Sequence, residues 1–183
     1  FRLLGVFLKV CDALAYAHSE KIIHCDVKSD NVMVGAFGQV FLMDWGIAMR
    51  LSRPEQIPED EAAGIIASPT FMSPEQAAGI RLGLTPATDI YSLGVMLFEI
   101  VFKQLPFRGK LESIVEQVKN GAPLNFEEMS SKVWVPRAIF QIISKAMATE
   151  RKARFGSILE LQDEVIRYMD CGHDFPLRHA NAG

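Results

Sequence analysis

Only three cysteines occur, Cys11, Cys25 and Cys171, standing far apart with no C-x-x-C spacing. That argues against a zinc site or a disulfide framework and reads as free thiols in a reducing compartment. There is no surplus of positive charge either. Nineteen Lys and Arg against 22 Asp and Glu leave a net charge of −3, which gives no basic field for nucleic acid or anionic lipid. Nor does any apolar run reach bilayer-spanning length. The opening "FRLLGVFLKVCDALAYAH" is broken by Arg2, Lys9 and Asp12, and Ile90–Phe102 is short and contains Glu99. The opening stretch also lacks the small-residue cleavage site of a signal peptide. These absences predict a soluble, cytoplasmic segment with no nucleic-acid or membrane contact. What is present is 49% hydrophobic residues over 183 positions, enough for one domain with a real core.

The apolar spacing predicts a mainly α chain with one small β-hairpin. Over residues 1–20, Leu3, Leu4, Phe7, Leu8, Cys11, Leu14 and Ala15 recur at three- and four-residue steps, so the chain opens inside or at the edge of a buried helix, as a fragment does. Short apolar strands at 32–34 and 39–43 flank Gly35-Ala36-Phe37-Gly38, a hairpin pattern. Residues 47–66 carry Arg50, Arg53, Glu55, Glu59, Asp60 and Glu61 with two prolines and no period, which predicts a mobile surface segment. "TDIYSLGVMLFEIV" (88–101) is apolar nearly all round and predicts a central buried helix. Amphipathic helices are expected at 111–121, 136–148 and 157–169, followed by a fraying tail over 170–183.

The chemistry concentrates in "IIHCDVKSDNVMV", residues 22–34. His24, Asp26, Lys28 and Asn31 interrupt two apolar stretches. Polar groups pinned between buried flanks have their geometry fixed for them, as a reaction site requires.

His24-Cys25-Asp26-Val27-Lys28-Ser29-Asp30-Asn31 resembles the catalytic loop of protein kinases, with cysteine where the family usually has arginine. Thirteen residues beyond Asn31, Asp44-Trp45-Gly46 resembles the family's magnesium-binding triplet, with tryptophan for phenylalanine. Ser73-Pro74-Glu75 looks like the end of the activation segment, Asp89–Gly94 like the start of the central helix, and Lys152–Phe155 like the region of a late arginine. The order holds from residue 1 to about 169, and the nearest flavour is the bacterial serine/threonine kinases. The resemblance implies ATP and Mg2+ as cofactors and a protein carrying Ser or Thr acceptors as substrate. It implies Asp26, Lys28 and Ser68 as catalytic residues, Ser68 through a hydroxyl contacting Asp26 and Lys28. Lys28, Asn31, Met33 and Asp44 would hold the nucleotide, with Asn31 and Asp44 as metal ligands and Met33 beneath the adenine. The chemistry is compatible: phosphoryl transfer asks mainly for positioning and charge neutralisation. Asp26 can take the incoming hydroxyl's proton, Lys28 can meet the transferred phosphate, and two hard oxygen donors suit magnesium. His24 and Trp45 would form an apolar column at the base of the central helix near Asp89, and Glu75 with Arg154 a buried ion pair.

No G-x-G-x-x-G occurs, and the 23 residues before His24 are taken up by the first helix and its exit. The expectation is therefore a kinase-like large lobe at 1–169, a tail at 170–183, and no small lobe, so that the missing N-terminal lobe counts among its partners. The function expected is that of a fragment of a serine/threonine kinase, inactive alone. A pseudokinase scaffold is the alternative, and an unrelated helical binding domain a third reading. Cys25 offers no cation to a phosphorylated loop, and the acidic run at Glu55, Glu59, Asp60 and Glu61 would repel one, so no loop-phosphorylation switch is expected.

Overall fold

A computed structural model describes residues 2–51, 68–80, 83–121, 124, 126–130 and 135–171. The expected tail from 172 onward and the acidic run at 55–61 lie outside the described residues. The elements are α1 (Arg2–Ser19), β1 (Ile22–Ile23), β2 (Val32–Val34), β3 (Val40–Leu42), β4 (Met49–Arg50), α2 (Pro74–Ala77), α3 (Pro86–Phe102), α4 (Leu111–Asn120), α5 (Phe126–Ser130), α6 (Arg137–Ala146) and α7 (Ile158–Asp170). Short 3-10 turns occupy Ser29–Asn31 and Arg151–Ala153. The described chain is mostly helical with two small antiparallel sheets, consistent with the expected kinase-like fold.

Helix α3 is the axis of the molecule. It is buried from Thr88 to Phe98: most of its side chains are apolar, and the polar Thr88, Asp89 and Ser92 find hydrogen-bond partners within the core. At Gly94 a Cβ would meet Met147 Cγ at 2.7 Å and Ala146 Cβ at 2.8 Å, so glycine here sets how closely α6 approaches. Helix α1 buries Leu4, Phe7, Val10, Cys11, Leu14 and Ala17. Leu3, expected on that stripe, is 47% exposed, and Val10 and Ala17 take the inward positions instead. Helix α1 packs against α3 and α7 and also against β1 and β3, so its contact face is wider than a single stripe.

The hairpin forms with Val32 opposite Leu42 and Met33 opposite Phe41. Alternation along the strands turns Val32, Val40 and Leu42 onto the core and leaves Met33, Phe41 and Met43 about half exposed. The segment from 47 is not wholly surface loop. Met49 and Arg50 pair with Ile23 and Ile22, so the chain returns to the strand that leads into the catalytic-loop-like stretch. Neither pair is long enough to show in a periodicity. The final helix also runs one residue beyond 169, to Asp170. Among the described residues, no helix is long and apolar enough to cross a membrane.

Candidate active site

Strand β1 delivers the chain into the site, and the 3-10 turn with β2 carries it out. Between them Asp26 is only 7% exposed and is the point on which the neighbouring groups converge. Its Oδ2 accepts from Lys28 Nζ at 2.6 Å and from Asn31 Nδ2 at 3.2 Å, and its Oδ1 accepts from the Ser68 backbone N–H at 3.1 Å. Asn31 Nδ2 also donates to the Asp26 carbonyl at 2.9 Å, which commits that amide nitrogen inward and leaves the amide oxygen as an available donor to a metal. Asp26, Lys28, Asn31 and Ser68 are thus brought together. The Ser68 contact differs from the expectation: the backbone N–H, not the hydroxyl, meets the carboxylate.

Asp44 arrives from the other strand of the hairpin. Met43 N–H donates to Asn31 carbonyl at 2.7 Å, placing Asp44 one residue from the end of the turn that carries Asn31. Asp44 is exposed and sits at φ 60°, a left-handed conformation that Asp tolerates better than most residues. Its carboxylate receives one long bond, from Gly46 N–H at 3.4 Å. An amide oxygen and a free carboxylate are hard donors, and Mg2+ usually takes one or two carboxylates plus phosphate and water. Asn31 and Asp44 fit that ion. Met33, further out on β2, is 51% exposed and available to a flat apolar ligand.

His24 couples the two loops. Its Nε2 donates to the Met43 carbonyl at 3.1 Å, and its Nδ1 accepts from Asp26 N–H at 3.2 Å, which together select the tautomer with hydrogen on Nε2. Its ring lies 4.4 Å from that of Trp45, tilted by 55°. The contact of His24 with Trp45 is present as expected, and beside it lies a polar centre at the base of α3. The fully buried Asp89 carboxylate accepts from His24 N–H and Cys25 N–H, both at 2.9 Å, and from His18 Nε2 at 2.7 Å. His18 carried no signal in the sequence, since one histidine at the end of an amphipathic helix is usually surface.

Cys25 is buried beside Ile23 and Leu84, with Ile47, Met49 and Leu51 packed on them. Burial pushes its thiol well above the ordinary range, and the charges of Asp89 and Asp26 push the same way. It supplies an apolar anchor, with no cation at this point.

Glu75 of α2 and Arg154 meet as expected, through two bonds of 2.8 Å. Thr88 Oγ1 adds a third donor to Glu75 at 3.0 Å. Burial alone would raise the Glu75 carboxyl, but the hydrogen bonds and charge of Arg154 hold it below its ordinary 4.5. A carboxyl lowered in the folded state stabilises fully above its unfolded value, and that contribution disappears as pH falls through the folded one. Thermal melts from pH 7 downward should therefore show a stability loss beginning below about pH 4.5. Glu75→Gln, though weaker at neutral pH, should show a shallower acid limb. Parallel acid limbs in the two proteins would show that Glu75 does not drive the loss.

This geometry can be set beside known proteins. The protein kinase domain family matches residues 3–166. The chain belongs to the protein kinase family. It is similar to the serine/threonine-protein kinase PknD of Chlamydia felis, at 32% identity over 91% of this chain and 19% of that protein. It is also similar to PknD of Chlamydia abortus, at 29% identity over 91% of this chain and 19% of that protein, and to PknD of Protochlamydia amoebophila, at 30% identity over 92% and 18%. The chain thus spans about a fifth of the length of these curated relatives. Segments that the sequence separates by tens of residues are joined here: His24–Asn31 and Glu75 bond to the head of α3, and Asp44–Gly46 is tied to the first of these through Met43 and Trp45.

Proposed function

We propose that this chain is the large lobe of a serine/threonine protein kinase that transfers the γ-phosphoryl group of ATP to protein Ser or Thr hydroxyls. The observation that carries the reading is the set of donors on Asp26: an ammonium, an amide and a backbone N–H hold a nearly buried carboxylate in one orientation. A carboxylate so held can orient an incoming hydroxyl and accept its proton. Lys28, already against Asp26, is placed to meet the charge of the phosphoryl group in transit. Asn31 and Asp44 would hold Mg2+, whose role is to neutralise phosphate charge. Met33 and its partner Phe41 would support the adenine. An inactive scaffold has no chemical need for this arrangement, which disfavours the pseudokinase reading.

The outward face of the hairpin supports the large-lobe assignment. Met33, Phe41 and Met43 share that face and are all about half exposed, an apolar surface of the kind a partner covers. In this reading the cover is the nucleotide and a small lobe carried elsewhere in a longer protein. The segment works on the cytoplasmic side, where ATP and reduced thiols are found.

The purified segment alone should show negligible Mg2+-dependent phosphorylation of Ser/Thr peptides, while a protein carrying both lobes transfers phosphate. Radiolabelled ATP with a peptide library decides it. Robust transfer by residues 1–183 alone would refute the large-lobe assignment.

A further inference from the structure

Gln76 follows Glu75 in α2 and is not part of the chemistry above. Its side-chain oxygen accepts from Ser73 N–H at 3.0 Å and from Ser73 Oγ at 3.1 Å, closing the cap of the helix. Those bonds turn the amide so that its nitrogen is free to donate elsewhere. Nε2 donates to the Cys25 carbonyl at 2.7 Å, across 51 residues of sequence.

That carbonyl belongs to the peptide unit joining Cys25 to Asp26. The other end of the same unit, Asp26 N–H, donates to His24 Nδ1 at 3.2 Å. Cys25 itself lies at φ 67°, in the left-handed region that non-glycine residues occupy only where their surroundings fix them. One edge of the peptide unit is therefore held by His24 and the opposite edge by Gln76, with Cys25 N–H held by Asp89 at 2.9 Å. Rotation of this plane is the motion that swings the Asp26 side chain. The Cys25 thiol donates to the Ile23 carbonyl at 3.9 Å and does not reach this peptide unit.

We propose that Gln76 is a positioning residue: by holding the Cys25 carbonyl it fixes the Cys25–Asp26 peptide plane and, through it, the direction of the Asp26 carboxylate. The link makes α2, the anchor of the segment that ends at Glu75, report directly to the reacting group. The effect on catalysis rests on the kinase reading above. The effect on the peptide does not.

The test uses the full-length protein with Gln76→Glu, which keeps the acceptor toward Ser73 and removes the donor, and Gln76→Met, which removes both without charge. Three quantities are compared with wild type: kcat and KM for ATP and peptide, the melting temperature, and the alkylation rate of Cys25 followed by peptide mass spectrometry. Cys25 is 4% exposed, so its labelling reports release of this loop independently of activity. Both variants should lower kcat by about tenfold or more, since small misplacements of a reacting group cost on this order. KM values should stay within about twofold, and Cys25 should label severalfold faster at a temperature where all three proteins are folded. Unchanged kcat with unchanged labelling overturns the proposal. So does a fall in melting temperature and kcat with Cys25 still protected, which is general destabilisation. If the wild-type protein transfers no phosphate, the kinase reading fails, and the labelling comparison alone still decides whether Gln76 holds the peptide.

Discussion

In a protein carrying both lobes, Asp26→Asn should lower turnover by about 10²–10⁴, the usual worth of a positioned base. Asparagine is nearly the same shape, so the fold should survive. Its chemistry is wrong at both ends of the group. Oδ2 accepts from Lys28 and Asn31, and Oδ1 from Ser68 N–H. Turned one way, the new NH2 faces Ser68 N–H and that contact is lost; turned the other way, it faces Lys28 and Asn31 and both are lost. The substituted residue also cannot accept the hydroxyl proton. Nucleotide binding should change little, because Asn31 and Asp44 keep their oxygens. Steady-state kinetics with ATP and peptide varied separately, beside a melting curve, is the measurement. Near-wild-type kcat in a folded Asp26→Asn protein would remove Asp26 from the proposed chemistry.

Arg154→Met should destabilise the protein by about 3–5 kcal/mol, the range for breaking a buried ion pair from one side. Arg154 uses all five of its N–H groups: two bonds reach Glu75, and the others reach the carbonyls of Ala87, Ala148 and Thr149. Methionine fills much of the volume but leaves the Glu75 carboxylate with the Thr88 hydroxyl and, among the cations of the described residues, the more distant Arg151 at 3.7 Å. It also leaves three carbonyls without this donor. The double variant Glu75→Gln with Arg154→Met removes the stranded charge and should recover part of the loss. It should not recover all, because the carbonyls of Ala87, Ala148 and Thr149 stay without the guanidinium. Denaturant unfolding of wild type, both single variants and the double variant measures the coupling. Equal midpoints in all four would show that the pair contributes nothing to stability.

Much of this fold was legible in the residues. Helices α1, α3, α4, α6 and α7 follow from apolar period, and their ends fall within a few residues of expectation. Gly121 closes α4 at φ 63°, at the position where that helix was expected to end. The hairpin follows from two apolar runs around a glycine-bounded loop. The pairing of Glu75 with Arg154 was expected from resemblance and is present. The two-residue pairing of β1 with β4 and the four-residue α2 were not legible. Elements that short have no period, and they exist because distant parts of the chain hold them.

The sequence by itself determined which residue types the site would contain, because an acid, a base and an amide within six positions are a local fact. It also determined the family, since motif order survives along a chain. Only the tertiary structure decided how those groups are held. That Asp89 is a polar hub for His18, His24 and Cys25, that Ser68 reaches Asp26 through its backbone, and that Gln76 braces the Cys25 carbonyl were all settled by packing. The physical reason is that these contacts join residues 42 to 71 positions apart. A hydrogen bond depends on direction to within tens of degrees and on distance to within a few tenths of an ångström. Sequence spacing constrains neither across such separations, and burial in a shared core fixes both.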